Sequence, residues 1–237
     1  MYVVFRNYFR SMELTYYGHA CFGVTVGSHR LLFDPFIKGN PLAGDIDINE
    51  IKADFVLISH AHGDHMGDAI EIGLRNNAAL ITNNEINNWL SGKGWKGGKG
   101  LNHGGKLKTE FGTVRYVSAI HSSQFPDQAY GGNPGGFVIE SKFGNFYYAG
   151  DTALTMDMKL IPMFCKLDFA ILPVGGHFTM DYNDAVIASD FIECDEIVGM
   201  HFDSFPPIKI DHDDAINVFN KNGKELKLPS IGESFEI

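Results

Sequence analysis

Six consecutive residues, His60-Ala61-His62-Gly63-Asp64-His65, place four metal-capable side chains directly after the hydrophobic run 55–59. A lone histidine is ordinarily a satisfied surface or core residue, but four such groups in six positions call for another reading. In extended backbone alternate side chains point the same way, so His60 and His62 can grip one cation. Asp64 and His65, past a turn at Gly63, are aimed at a second position nearby. Neither position is complete, because a divalent ion such as zinc takes about four ligands. The missing ligands should stand at other strand ends, and three candidates do: His121 after 113–120, Asp151 after 146–149 through Gly150, and His201 after 196–200. Two neighbouring cations can share a hydroxide, lower the pKa of its parent water toward about 7, and stabilise charge on the attacked and leaving oxygens. That is hydrolysis without a serine or cysteine nucleophile, and the G-x-S-x-G elbow is absent.

Such a site needs a frame that brings distant strand ends to one edge. Short runs rich in valine, isoleucine, phenylalanine and tyrosine predict strands at 13–17, 21–26, 30–34, 55–59 and 79–82, then at 113–118, 136–140, 146–149, 169–174 and 196–200. Helices are predicted at 68–76, 85–90, 183–191 and 213–220, with Asp181 or Asn183 and Asp211 as N-caps of the last two. Both halves open with closely spaced strands and continue by alternating strand with helix. The expectation is an α/β fold, a four-layer αββα sandwich of two mixed sheets with helices outside. No Pro/Ser-rich linker divides the chain, so a leader at 1–11 and one hydrolase domain at 12–237 are expected.

Composition narrows the function further. The 237 residues are 44% hydrophobic, and 19 basic against 29 acidic residues give a net charge of −10, which weighs against a nucleic-acid partner. No apolar run reaches the ~18 residues of a membrane helix. The first twelve residues carry Arg6 and Arg10 and no small-residue cleavage site, so a cytoplasmic protein with no membrane partner is expected. Cys21, Cys165 and Cys194 are widely spaced and odd in number, which fits reduced buried thiols. Gly92, Gly94 and Gly97 formally satisfy G-x-G-x-x-G, but a dinucleotide loop must follow a strand and open a helix; here a helical segment precedes it, and 92–105 reads as a surface loop.

The ordered set His60-x-His62-x-Asp64-His65, His121, Asp151, His201 resembles the metallo-β-lactamase superfamily. Gly18-His19-Ala20-Cys21-Phe22, Phe33-Asp34-Pro35, Ala149-Gly150-Asp151-Thr152 and the segment from Pro173 to Met180 are similar to its metal-dependent hydrolases near the ascorbate-phosphate lactonase-like branch. The resemblance implies His60, His62 and His121 on a first metal, Asp64, His65 and His201 on a second, and Asp151 bridging. Aspartate at the bridging position resembles hydrolase, lactonase and phosphodiesterase branches; antibiotic-degrading members typically carry cysteine there.

The expected enzyme is therefore a dinuclear metal-dependent hydrolase of a small ester, lactone or phosphodiester, with a metal-bound hydroxide as nucleophile. The alternatives are a phosphodiesterase of lipid or nucleotide substrates and a non-catalytic metal-binding protein. The cofactor is two divalent ions, zinc first, with manganese, iron or nickel also suited to imidazole and carboxylate. Two such ions would bring −10 to −6, so a small anionic substrate is admissible on an acidic protein. Asp64 is a candidate for orienting the water or taking its proton, His19 for a place near the site, and His177 for facing substrate. Asp34 is a candidate to orient a ligand histidine through its free ring nitrogen or to pin the loop 59–65, the alternative being a plain turn aspartate before Pro35. His29, His103 and His212 are assigned to surface or capping positions. Nothing in the pattern speaks to oligomeric state.

Overall fold

The computed structural model describes residues 12–237; the expected leader at 1–11 lies outside the described residues. The first sheet is built from β1 (Glu13–Gly18), β2 (Cys21–Val26), β3 (His29–Phe33), β4 (Phe55–Ile58), β5 (Ala79–Asn83) and β6 (Lys99–Leu101). The second takes β7 (Lys106–Lys108), β8 (Thr113–Ser118), β9 (Gly135–Ser141), β10 (Gly144–Tyr148), β11 (Phe169–Pro173), β12 (Glu196–Met200) and β13 (Glu225–Lys227). β14 (Ser234–Glu236) returns to the outer edge of the first sheet beside β1. Each sheet is mixed: β1, β2 and β3 pair antiparallel and β3 to β6 parallel, while β7 to β10 pair antiparallel and β10 to β13 parallel.

Helices fill the parallel crossovers. α1 (Gly63–Met66) and α2 (Ala69–Asn76) join β4 to β5, and α3 (Asn84–Gly92) joins β5 to β6. A 3-10 segment, Met156–Met163, precedes β11; α4 (Tyr182–Phe191) and α5 (His212–Lys221) follow β11 and β12. Asp181 caps α4 by accepting from the Asn183 and Asp184 amides, and Asp211 caps α5 through the Asp214 amide. Strand alternation sorts the core. Leu31, Phe33 and Leu57 face the second sheet, where Phe33 stacks on Tyr148 at 4.6 Å between centroids. Leu32, Val56, Ile58 and Leu80 face the opposite way and pack with Ile72, Ile86 and Leu90 of α2 and α3. Each such fully buried Leu, Ile or Phe is worth about 1.5–3 kcal/mol relative to exposure. The result is the expected helix–sheet–sheet–helix arrangement of an αββα sandwich.

Pairing direction explains how distant residues meet. β3, β4 and β5 end at one edge of the first sheet, and β1, antiparallel to β2, which is antiparallel to β3, ends there too. By the same reasoning β8, β10, β11 and β12 end at one edge of the second sheet. Cross-sheet bonds tie the two edges. The Gly135 amide donates to the Ser59 carbonyl (3.2 Å), the His201 amide to the His19 carbonyl (2.8 Å), and the Tyr116 hydroxyl to Ser59 O (2.9 Å). The stretch 92–105 is not all loop. Lys99–Leu101 forms edge strand β6, while Gly94 (φ 99°) and Gly97 (φ 79°) make the turns before it.

Candidate metal centre

β4 delivers Ser59 and His60 to the shared edge, and the chain then winds into α1 with His62 at its N-cap. The His65 and Met66 amides both donate to the His62 carbonyl at 3.1 Å, so the turn expected at Gly63 is the start of one helical turn. That turn folds His65 back over His60, with ring centroids 4.1 Å apart. His121 stands three positions after the end of β8, Asp151 three after the end of β10, and His201 directly after β12.

The structure gathers six of the seven expected metal candidates into two clusters and sets the seventh, Asp151, between them. His60, His62 and His121 place one ring nitrogen each within 4.8 Å of the others, and a second group with the same spacing holds Asp64, His65 and His201. Asp151 lies between them, its Oδ2 3.0 Å from His201 Nε2 and 3.5 Å from His121 Nε2, its Oδ1 3.3 Å from His65 Nε2. His19 joins the second group, with Nε2 3.3 Å from Asp64 Oδ2. Gly18 and Cys21 pair across the β1–β2 hairpin, leaving a two-residue turn that throws the His19 ring into the cluster. His19 (φ 57°), Asp34 (φ 40°) and His201 (φ 56°) all hold left-handed backbone, a cost of about 1–3 kcal/mol each that the surrounding bonds must offset.

One buried carboxylate orients both clusters. Asp34 accepts at Oδ1 from the Ser59 amide (2.7 Å), and at Oδ2 from Ser59 Oγ (2.5 Å), His65 Nδ1 (2.8 Å) and the Tyr148 hydroxyl (2.7 Å). With the Ser59 hydroxyl proton committed to Asp34, His60 Nδ1 at 3.0 Å must be the donor to Ser59 Oγ. His60 Nε2 then carries its lone pair toward His62 Nδ1, 3.0 Å away. The same logic applies to His19, whose Nδ1 lies 3.1 Å from Ser204 Oγ while that hydroxyl donates to the Phe202 carbonyl. Ser59 and Tyr148 are expected only as strand residues and Ser204 not at all, so no sequence signal marks the three as holders of the site. Asp34 combines both expected roles short of a plain turn residue: it meets a ligand-side histidine and pins the loop after β4.

This donor set fits divalent cations. His19 Nε2, His65 Nε2 and Asp151 Oδ1 are buried without a hydrogen-bond partner among the described residues, and all point into the second cluster or at Asp151. Lone pairs facing one another at about 3 Å need an electrophile between them, and buried orphan polar atoms are otherwise rare. Protonation states agree. Burial and the neighbouring imidazoles hold His60 well below the ordinary histidine value, and burial lowers His62 and His121 and brings His19 to about 4. Burial alone would raise Asp64 and Asp151, but the adjacent histidines outweigh it and hold both carboxyls well below the usual range. Neutral imidazole and ionised carboxylate are the forms that bind metal. His65 goes the other way: burial disfavours its charge, yet Asp151 and Asp34 raise it well above the ordinary value, so a metal that takes its Nε2 must displace a proton.

The other candidates fall outside the clusters. His177 is exposed on a tight turn whose Met180 amide donates to the Thr152 carbonyl (3.0 Å), so the turn leans on the segment after Asp151 while the ring touches Phe178. His103 and His212 are exposed, bonded to the Pro134 carbonyl and to Asp203, and half-buried His29 packs on Phe55 and Phe111. Cys21, Cys165 and Cys194 are free. No helix among the described residues is long and apolar enough to cross a membrane.

Comparison with known proteins is consistent with this geometry. Residues 13–201 match the family profile of the beta-lactamase superfamily domain. The chain is 56% identical over 226 residues to a UPF0173 metal-dependent hydrolase of Flavobacterium johnsoniae, covering 95% of this chain and 100% of that one. It is similar to the structure of Igni18, a metallo hydrolase from Ignicoccus hospitalis, with TM-score 0.87, 34% identity, and 96% and 98% of the two chains covered. An isothiocyanate hydrolase from Delia radicum gut bacteria shares the fold at TM-score 0.78 and 19% identity, over 94% of this chain and 98% of that one.

Proposed function

The chain belongs to the UPF0173 metal-dependent hydrolases of the β-lactamase superfamily, and from that premise we propose that it works as a dinuclear hydrolase of a small ester, lactone or phosphodiester. The observation that carries the reading is Asp151: a single buried carboxylate faces His121 on one side and His65 and His201 on the other. In this proposal His60, His62 and His121 hold one cation, Asp64, His65 and His201 hold the other with His19 as a further donor, and Asp151 bridges them. Two bound divalent ions, zinc first among the candidates, would supply Lewis acidity that activates a water and neutralises charge on the attacked and leaving oxygens.

The chain's own residues do the remaining work. Asp34 and Ser59 fix the tautomers of His65 and His60 so that their Nε2 atoms face inward, as ligand histidines require. Phe36 and Phe205 stand edge-on to His19, at 5.6 and 5.4 Å, and keep water off the back of the second cluster. The Asp64 side chain is 32% exposed against 2% for Asp151, so it is the carboxylate that can meet an incoming water. Held well below the usual carboxylate range, it is a poor proton acceptor near neutral pH. Of its two expected roles, orienting the water fits better than taking its proton. The substrate proposed for this centre is small and can be anionic, and the three free cysteines are compatible with the reducing cytoplasm proposed for it.

The test is elemental analysis combined with a panel of model phosphodiesters and lactones. His62→Ala and Asp151→Ala should lower metal content and hydrolysis together, while His103→Ala should leave metal loading unchanged. Undiminished metal stoichiometry in both of the first two variants would defeat the ligand assignment. Bound metal with no turnover on any substrate class would favour a binding protein instead.

A further inference from the structure

A second pocket with polar groups of its own lies on the opposite face of the second sheet and is lined by none of the metal candidates. Alternation along β8 and β10 sends Tyr116 and Tyr148 between the sheets, where they bond to Ser59 O and Asp34. It sends Arg115, Val117 and Tyr147 the other way, beneath the segment Met156–Met163. There they line a cavity of about 290 Å³ with Met158, Ile161 and Phe164. Arg115 is 9% exposed and Tyr147 is fully buried. Among the described residues neither Arg115 Nε nor the Tyr147 hydroxyl has a hydrogen-bond partner. The nearest carboxylate oxygen to the guanidinium, from Glu140, is 3.9 Å away, and its flat face rests on Phe164 at 3.7 Å.

Two buried polar groups left unmatched in one apolar cavity are costly unless something completes them. We propose that this cavity binds a small amphipathic monocarboxylate, its head on Arg115 and Tyr147 and its hydrocarbon tail against Val117, Met158 and Ile161. A planar guanidinium with free N–H groups matches a carboxylate in bidentate fashion. The apolar wall selects against a fully polar anion. Glu140 beside Arg115, and Asp157 at the rim, where it accepts from Ser118 Oγ at 2.7 Å, repel a dianion such as phosphate. The volume lies at the low end for ligand pockets, which limits the guest to a short chain.

The experiment is isothermal titration of sodium octanoate into the full-length protein, with octylammonium as the opposite-charge control. Asp151→Ala separates this pocket from carboxylate binding at the metal centre. Saturable octanoate binding that Asp151→Ala leaves unchanged, that Arg115→Met weakens roughly tenfold or more and that Arg115→Lys partly restores is the expected result. Octanoate binding insensitive to Arg115→Met, binding lost in Asp151→Ala, equal binding of octylammonium, or no saturable binding would each overturn the proposal. Should Arg115→Met fail to fold, a diazirine-bearing octanoate can be photo-crosslinked to the wild-type protein. Label on residues 156–164 supports the site, and label confined elsewhere overturns it.

Discussion

Replacing Asp34 by asparagine keeps shape and volume while removing the charge on which both histidine clusters are hung. The carboxylate takes four donors, three of them on Oδ2. An amide has one acceptor oxygen, so its best orientation keeps that oxygen toward Ser59 Oγ, His65 and Tyr148 and turns its NH2 against the Ser59 amide. That contact becomes donor against donor, at about 1–3 kcal/mol for an unsatisfied buried group. The three surviving bonds lose charge assistance, at about 1 kcal/mol each. Relief from burying a carboxylate offsets part of this, leaving a net loss of about 3 kcal/mol. For a chain of this length that lowers the melting temperature by about 6–12 °C. Because His65 and His60 lose their enforced tautomers, metal affinity should fall by about 10–100-fold. Differential scanning calorimetry of the chelator-treated protein reads the first quantity, and competition against a chromogenic chelator reads the second. An Asp34→Asn protein that melts within about 2 °C of wild type and competes for metal equally well would refute the role assigned to Asp34.

Two further substitutions probe the same frame. Tyr148→Phe removes only the hydroxyl that reaches Asp34 and the Ala20 carbonyl, and should cost about 1 kcal/mol in urea unfolding while leaving metal stoichiometry intact. In Gly175→Ala the new Cβ would collide with the His201 carbonyl oxygen; a loss of about 1–3 kcal/mol is expected, and displacement of His201 should lower metal content, read by elemental analysis.

Much of this arrangement was legible because ligands at sheet edges leave a local trace, an apolar run followed at once by histidine or aspartate. Searching for that trace in the second half of the chain finds His121, Asp151 and His201. The same rule applied to the first half returns His19, just after β1, and Asp34, directly after β3. Both stand at the edge because β1, β3 and β4 end on the same side, a fact of pairing direction that sequence spacing alone does not express. The elements that escaped are the ones with too few residues to show a period. β6, β7, β13 and β14 are three residues long, and Lys-Gly-Leu or Lys-Leu-Lys reads as loop until a neighbouring strand supplies its hydrogen bonds. The segment Met156–Met163 escaped for another reason: Pro162 and a mixed pattern hide its one buried stripe of Met158 and Ile161. Ser59, Tyr148 and Ser204 could not be read as holders at all. Their hydroxyls matter through which proton each one commits, and that is decided by acceptors the fold sets beside them: Asp34, distant in sequence, for Ser59 and Tyr148, and the Phe202 carbonyl two residues back in the same loop for Ser204. A motif can name the atoms that would touch a metal, but the atoms that aim them are chosen by the fold. Substitutions at Asp34 and Ser59 therefore test the centre more sharply than another change among the histidines of the motif.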